Sequence, residues 1–469
     1  MAERLGMASV DLTLLEAVLR RALRAGGDFA EVFLEDRDSL ALRLEDRRIE
    51  QATGGRQVGF GVRLCVGDKT LYAHSDEVTE AAFMAAADAV AAAAGASTPA
   101  DVVALGDVVG GAGRHPVGIR PETVAVTRKS ALVRAGDEAA RALGPLVAQV
   151  SINYAEERQR LLVVNSLGEA VRDDRTRLRY TASVVARRDG VIQTGFEALG
   201  GSAGLELVDE AKAASIARQA AETAVTMLDA RPAPAGAMPV VLANGFGGVL
   251  FHEACGHGLE ADSIAKGASI YAGKKGQNVA APIVNAFDDG RLPNGWGSAT
   301  FDDEGTPTQR TQVIEDGRLC SYLYDRLEAR KAGARSTGNG RRQSFRHIPI
   351  PRMTTTYIAG GDSSPDDIIA TTPHGFYAKS LAGGQVEPAS GAFVFGVAEG
   401  YLIESGRVTA PLRGATLIGS GIDILSRIDM IAADLDIKTG VCGKDGQGVP
   451  VGTGQATLRI SEMTVGGTA

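Results

Sequence analysis

Val58-Gly59-Phe60-Gly61-Val62-Arg63-Leu64-Cys65-Val66-Gly67-Asp68 sets an apolar side chain at every second position and then stops at a turn pair. Side chains alternate across a strand, so the run has one apolar face and one face of small or polar groups, and it ends where a hairpin turns. Leu40, Leu42 and Leu44 show the same period upstream, and together the runs predict an antiparallel sheet. Ahead of them, Leu15, Val18, Leu19, Ala22 and Leu23 share one helical face in Asp11 to Ala25, with Asp11 as cap and Gly26-Gly27 as stop. Glu16, Arg20 and Arg21 break every apolar run there, so this is an amphipathic helix and not a signal peptide or membrane span. Downstream comes an alanine-rich helix from about Glu80 to Ala94. Gly95 to Pro121, aperiodic and rich in small residues, is read as a linker.

The order of elements then recurs. A helix is expected near Glu122 to Leu143, strands near Val147 to Ala155 and Arg160 to Val164, more strands around Asp189-Gly190, and a helix near Asp209 to Leu228. Pro232-Ala233-Pro234-Ala235-Gly236 forbids helix continuation and marks a second boundary. Beyond Met238 the chain is mostly short β-type runs: Thr311 to Ile314, Leu319 to Tyr324, Phe393 to Val397, and Tyr401 to Ile403. Pro239 to Leu242 reads as a strand, Asn244 to Gly248 as a turn, and Val249 onward as a helix.

The expected class is α+β. Two N-terminal blocks of antiparallel sheet with flanking helices, 1–118 and 119–236, precede a β-rich C-terminal domain, 237–469, that carries a metal-binding helix. A chain of 469 residues exceeds the roughly 250–300 at which one core stops growing.

Composition narrows the function classes. Apolar residues at 44% and charged residues at 23% suit buried cores and exclude wholesale disorder. A net charge of -8 gives no global attraction for phosphate backbones, so nucleic acid is not expected as a partner. Four scattered cysteines fit reduced thiols in a cytoplasm better than a disulfide scaffold.

The helix from Val249 carries His252-Glu253-Ala254-Cys255-Gly256-His257. Catalytic zinc takes three protein ligands and keeps a fourth position for water. In HExxH motifs the imidazoles lie four residues apart on one face, and the intervening Glu reaches that water. Here the spacing is five, which in an ideal α-helix leaves the side chains about 140° apart, too far to share an ion. A π-type bulge would absorb the extra residue, and Gly256 beside His257 makes the backbone permissive. Two polar histidines on a half-exposed helix are the plain alternative; the adjacent Glu253 and the scarcity of histidine, six in the chain, weigh against it.

Acids, His347, His374 and the thiols all remain open as a third ligand. Cys442 is the most suggestive. It stands in Gly440-Val441-Cys442-Gly443-Lys444-Asp445-Gly446-Gln447-Gly448, read as a glycine-rich loop that can approach a site closely. Cys255 faces elsewhere on the helix and is assigned to packing, Cys65 lies opposite the apolar face of its strand, and Cys320 has no nearby partner. A nucleotide site at Gly443 to Gly454 fails, because Asp445 stands where a P-loop needs Ser or Thr.

With Gly383-Gly384-Gln385-Val386 and the Cys442 segment added to His252 through Glu260, the chain resembles the TldD/TldE (PmbA) metallopeptidase family over nearly its whole length, and within it the active, TldD-type subunit. That resemblance implies a Zn2+ site of HExxxH type in which His252, His257 and Cys442 are ligands and Glu253 is the catalytic base. It also implies hydrolysis of unfolded proteins or peptides, and pairing with a homologous TldE/PmbA-like subunit that lacks the metal motif, or with a second copy. Two other classes stand beside it: a non-catalytic scaffold partner, opposed by the intact motif, and a DNA-associated regulatory protein, opposed by the acidic balance.

Two further groups are expected to be solvated surface. One is the loop holding Arg335, Asn339, Arg341, Arg342, Arg346 and His347; the other is the acidic run Asp302-Asp303-Glu304. Trp296, in a glycine-flanked turn, is expected to pack.

Overall fold

The computed structural model describes residues 10–95, 98–110 and 114–468. Helix α1 (Leu12–Leu23) starts where the Asp11 carboxylate accepts the Thr13 N–H at 2.9 Å, and it buries the five apolar residues of its predicted face. Strands β1 (Phe29–Glu45), β2 (Arg48–Val66) and β3 (Lys69–Ser75) follow as an antiparallel meander, then α2 (Glu80–Ala93). The second block is α3 (Val126–Arg141), β4 (Val147–Asn165), β5 (Ala170–Arg188), β6 (Val191–Gly201) and α4 (Glu210–Thr226).

The two blocks share one sheet. Its order is β3-β2-β1-β4-β5, with β6 on β5, and β1 pairs with β4 from Glu31↔Asn165 to Glu45↔Ser151. Val147 to Ala155 and Arg160 to Val164, expected as two strands, are one. The polar residues between them find partners without leaving the sheet: Glu156 accepts from Lys129 Nζ at 2.6 Å, and Gln159 Nε2 donates to Glu35 at 2.7 Å. The expected linker also differs. Its described part lies along the sheet, with Val103 and Gly106 N–H groups bonding the Ser166 and Gly168 carbonyls and Val102 and Leu105 packed on the core.

The alternation in β2 has a cause on each face. Phe60, Val62 and Leu64 pack under α1 and α2. On the other face, a Cβ at Gly59 would lie 2.3 Å from the Phe345 ring, and one at Gly61 only 1.8 Å from Tyr72 Oη. Gly59 thus leaves room for Phe345 of the third block, and Gly61 for Tyr72 of the neighbouring β3, whose hydroxyl donates to the Phe345 carbonyl at 2.6 Å.

The third block is β-rich. It contains β7 (Gly236–Leu242), α5 (Gly248–Phe251), β8 (Ala286–Asp289), β9 (Arg310–Glu315), α6 (Arg326–Lys331), β10 (Thr355–Ile358), β11 (His374–Glu387), β12 (Ala392–Glu404), β13 (Thr416–Ser420), β14 (Asp436–Lys444), β15 (Gln447–Gln455) and β16 (Leu458–Gly466). The expected Phe393 to Val397 and Tyr401 to Ile403 runs are both β12. Strands β11-β7-β16-β13-β12 close, because β12 pairs back onto β11. Phe376, Phe393, Phe395 and Leu417 of this ring share a core with Phe251, Ala254 and Cys255 of the histidine helix. A second sheet runs β9-β8-β10-β15-β14, leaving β14 at its edge.

Asp302, Asp303 and Glu304 are not on the surface; they are 2%, 4% and 0% exposed. Asp303 accepts from Arg175 Nη1 at 2.6 Å and from the Arg342 N–H at 2.9 Å, and Asp302 accepts three backbone N–H groups, from Glu304, Thr306 and Gly340. Arg341, Arg342 and Asn339 are buried with them, contrary to the solvated-loop expectation, whereas Arg335 and Arg346 are exposed. Arg342 reaches across to Glu31 of β1 and lies over the Phe33 ring at 4.3 Å. These charges join the N-terminal sheet to the third block, and a buried pair is costly to break from one side. Arg342→Met therefore strands Glu31 and is expected to lower stability by roughly 3–5 kcal/mol, read from chemical denaturation; an unchanged midpoint would show that the docking does not depend on this pair.

Candidate metal centre

Helix α5 runs into a π turn at His252–Gly256, in which the His257 N–H bonds the His252 carbonyl. The extra residue is absorbed at the position where the five-residue spacing requires it. The imidazole rings come to one side of the helix, centroids 5.4 Å apart and crossing at 81°. Gly256 itself is ordinary helical backbone, φ -54°. Its role is space, not permissive torsion: a Cβ there would lie 2.1 Å from Met353 Sδ. Cys255 points the other way, fully buried, and accepts from Tyr271 Oη at 3.1 Å.

Cys442 is on strand β14, not in a loop. β14 and β15 form a regular hairpin around Asp445-Gly446, both at positive φ, and Cys442 sits opposite Val449. Of the glycines that suggested a loop, Gly440, Gly443 and Gly448 are strand residues and Gly446 makes the turn. The edge position of β14 brings the thiol to the histidines: Cys442 Sγ lies 3.3 Å from His257 Nε2, and the ligating atoms of His252, His257 and Cys442 are all within 4.8 Å of one another. Neither His347 nor His374 belongs to this group.

Each imidazole is held from behind. His252 Nδ1 pairs with Thr356 Oγ1 of β10 at 2.9 Å, and His257 Nδ1 with Glu260 Oε2 at 3.1 Å. Such outer partners fix which nitrogen faces inward. Glu260 is in turn gripped by Lys444 Nζ at 3.0 Å, and the same Nζ donates to Asp262 Oδ1 at 2.6 Å. Arg352 ties the two halves together, since its guanidinium faces Glu260 and donates to the Cys442 carbonyl. Sequence reading overlooked Thr356, Lys444 and Arg352. Only Glu260, three residues past His257, left a local signal. Glu253 is half-buried, its Oε2 3.7 Å from His257 Nε2.

Burial disfavours charge here, but hydrogen bonding overrides it. It would raise the Cys442 thiol, yet His252 and His257 bring it down to about 5. It would lower His257, yet Cys442 and Glu260 raise it to about 10. Glu260, though fully buried, is held down at about 2 by Lys444 and His257. Without metal both shifts favour the charged forms, thiolate for Cys442 and imidazolium for His257.

Family models match the chain along its length. Residues 235–467 fit the PmbA/TldA metallopeptidase C-terminal domain, 119–228 the central domain and 30–94 domain 1. The first of these encloses the whole His252, His257 and Cys442 cluster. This chain belongs to the PmbA/TldD metallopeptidase family. A metalloprotease TldD homolog of Haemophilus influenzae is 40% identical over 94% of this chain and 93% of its own length. A Methanothermobacter thermautotrophicus metalloprotease is 32% identical over 94% and 96%. The PmbA/TldD fold is likewise matched by TldE from Thermococcus kodakarensis, with TM-score 0.75, 19% identity, and coverage of 96% of this chain and 99% of that one. Among the described residues no helix is long and apolar enough to cross a membrane.

Two outcomes follow from this geometry. Gly256→Ala overpacks the π turn against Met353 and is expected to cost about 1–3 kcal/mol together with metal retention, both recovered in Gly256→Ala/Met353→Ala; failure of that rescue would place the strain elsewhere. In metal-stripped protein, the raised His257 contributes stability that is full below the ordinary imidazole range and fades as pH rises past about 10. The lowered Cys442 contributes stability that is full above the ordinary thiol range and fades as pH falls past about 5. Thiolate absorbance in the ultraviolet should persist between those limits and vanish in Cys442→Ser; its appearance only in the ordinary thiol range would contradict the ion pair.

Proposed function

We propose that this chain is the catalytic subunit of a zinc-dependent peptidase, with His252, His257 and Cys442 as the zinc ligands and Glu253 as the general base. The observation that carries this reading is the meeting of two imidazoles and a thiolate within 4.8 Å, next to a half-buried carboxylate. The donor set fits: nitrogen and sulfur ligands suit zinc, and three of them leave one position open. Thr356 and Glu260 already orient both rings inward. When bound, zinc would lower the pKa of a coordinated water and polarise the scissile carbonyl.

The chain's own residues supply the rest. Glu253 accepts the proton of the attacking water and later hands it to the leaving amine. Glu260 and Lys444 hold His257 in the tautomer that directs Nε2 inward. Arg352 holds β14 against the helix and so fixes the height of the thiol. Substrate is an unfolded protein or peptide in extended form. Support comes from β11, whose partner β7 pairs only with Phe376 to Ala378, leaving one edge of its later half, including Gly383-Gly384-Gln385-Val386, without a neighbour in β7. A peptide can add there as a strand with little regard for its side chains. A bound peptide without main-chain hydrogen bonds to this edge would remove that part of the reading.

The working assembly pairs this chain with a homologous TldE/PmbA-like subunit or a second copy, in keeping with the family, and the site of action is the cytoplasm. Glu253→Gln should retain zinc while losing a factor on the order of 10²–10⁴ in hydrolysis of an unfolded peptide, whereas Cys442→Ser should lose the zinc itself. Metal analysis alongside the cleavage assay reads both, and a zinc-loaded, fully active Glu253→Gln protein would dismiss Glu253 as the base.

A further inference from the structure

A cavity of about 460 Å³ opens at the seam between the second block and the third. The second block lines it with Glu197 of β6 and with Glu222 and Thr223 of α4, and the third with Phe246, Tyr377 and Tyr401. Its lining includes none of the metal-centre residues, yet two strands tie it to that centre. β14 pairs with β15 in unbroken register, so Lys438, which lines the cavity, points to the same face as Cys442 four residues on. The histidine segment runs along that face: Lys438 Nζ lies 5.8 Å from the Phe246 ring centre, Cys442 meets His257, and Lys444 meets Asp262. At about 3.3 Å per strand residue, Lys438 and Cys442 are roughly 13 Å apart. The second strand is β11. Its pairing with β7 ends at Leu242↔Ala378, and the next residues, Lys379 and Ser380, line the cavity. The cavity thus opens where the free edge of β11 begins.

Charge decides what the cavity can take. Its lining holds the carboxylates of Glu197, Glu222, Glu399 and Asp436 and the ammonium groups of Lys379 and Lys438. Lys379 is taken by Glu399 at 2.8 Å and Lys438 by Asp436 at 3.1 Å. Glu197 and Glu222 are left without a counter-ion among the described residues lining the cavity. Neither is sealed off, since Glu222 is exposed and Glu197 half-buried. Burial pushes the Glu197 carboxyl up, by more than Lys438 and Lys379 draw it down. An incoming cation would relieve that, and the aromatic walls suit both a cation and the aliphatic stem that carries it.

We propose that this cavity receives a lysine or arginine side chain of the peptide substrate, about four residues from the cleaved bond, with its stem against Tyr377 and Tyr401 and its cation at Glu197. The proposal rests on the peptidase reading and adds a sequence preference to it.

The probe is a series of unfolded peptides in which a single lysine moves along an otherwise uncharged sequence, with norleucine and glutamate in its place as controls. With the zinc-loaded full chain, mass spectrometry of the products should show the cleaved bond moving with the lysine and staying about four residues from it. Fluorescence anisotropy with the metal-stripped chain reads binding apart from cleavage, and the lysine peptide should bind at least about threefold tighter than the norleucine one. Glu197→Gln should abolish that difference, and Glu197→Lys should shift the preference to the glutamate peptide, which a merely structural role for Glu197 would not do. Glu222→Gln, on the exposed face of α4, should reduce the difference without disturbing the fold. Preferential binding of the lysine peptide with no cleavage would sustain the cavity and remove the peptidase reading. Cleavage at positions that ignore the lysine, or equal affinity for the lysine and norleucine peptides, would overturn the proposal and leave that reading standing. An absence of binding by every peptide would overturn it as well.

Discussion

The five-residue interval between His252 and His257 is the constraint on which the rest of the site depends. An ideal helix would point the two rings apart, and the π turn is the local solution. A single wide turn is weakly held by its own hydrogen bonds, so it needs external bracing. Here that bracing is packing: Phe251, Ala254 and Cys255 are sunk in the core of the closed strand ring, and Met353 fills the place a side chain at position 256 would take. A Cβ at Gly421 would come within 2.4 Å of the Ala254 carbonyl, which shows how closely the next layer follows.

Around this turn the protein assembles charge in a dry setting. Burial alone would neutralise a thiolate, an imidazolium and a carboxylate, yet each stays charged because an opposite charge or donor is already in contact. Lys444 belongs to the same strand as Cys442, and Glu260 to the same segment as His257. The Lys444–Glu260 contact thus repeats, one layer out, the joining of strand to helix made by the thiol and the imidazole. The docking of the N-terminal sheet uses the same device through Asp303, Arg175, Arg342 and Glu31.

Much of this was legible from residue order. Period-two and helical patterns placed most elements of the first two blocks, because each of those elements turns one face to a local core. The HEACGH segment announced both the mismatch and its remedy. What was illegible depended on distant neighbours. Glu156 and Gln159 read as a strand break until Lys129 and Glu35 supplied partners. Asp302-Asp303-Glu304 read as surface because no local pattern announces Arg175 or Arg342. Glycines around Cys442 read as a loop because nothing nearby in the chain shows the sheet that β14 joins. Thr356 and Arg352 reach the site only through tertiary folding.

The hairpin that carries Cys442 also has a bearing on biosynthesis. His257 and Cys442 are 185 positions apart, so the histidine helix leaves the ribosome well before the sulfur does. The histidine helix can be out and folding in that interval, but the trio is incomplete until the β14 hairpin has been made. A half-made copy therefore has the two imidazoles without the sulfur throughout that interval. The order of the residues thus ties completion of the cluster to the pairing of β14 with β15.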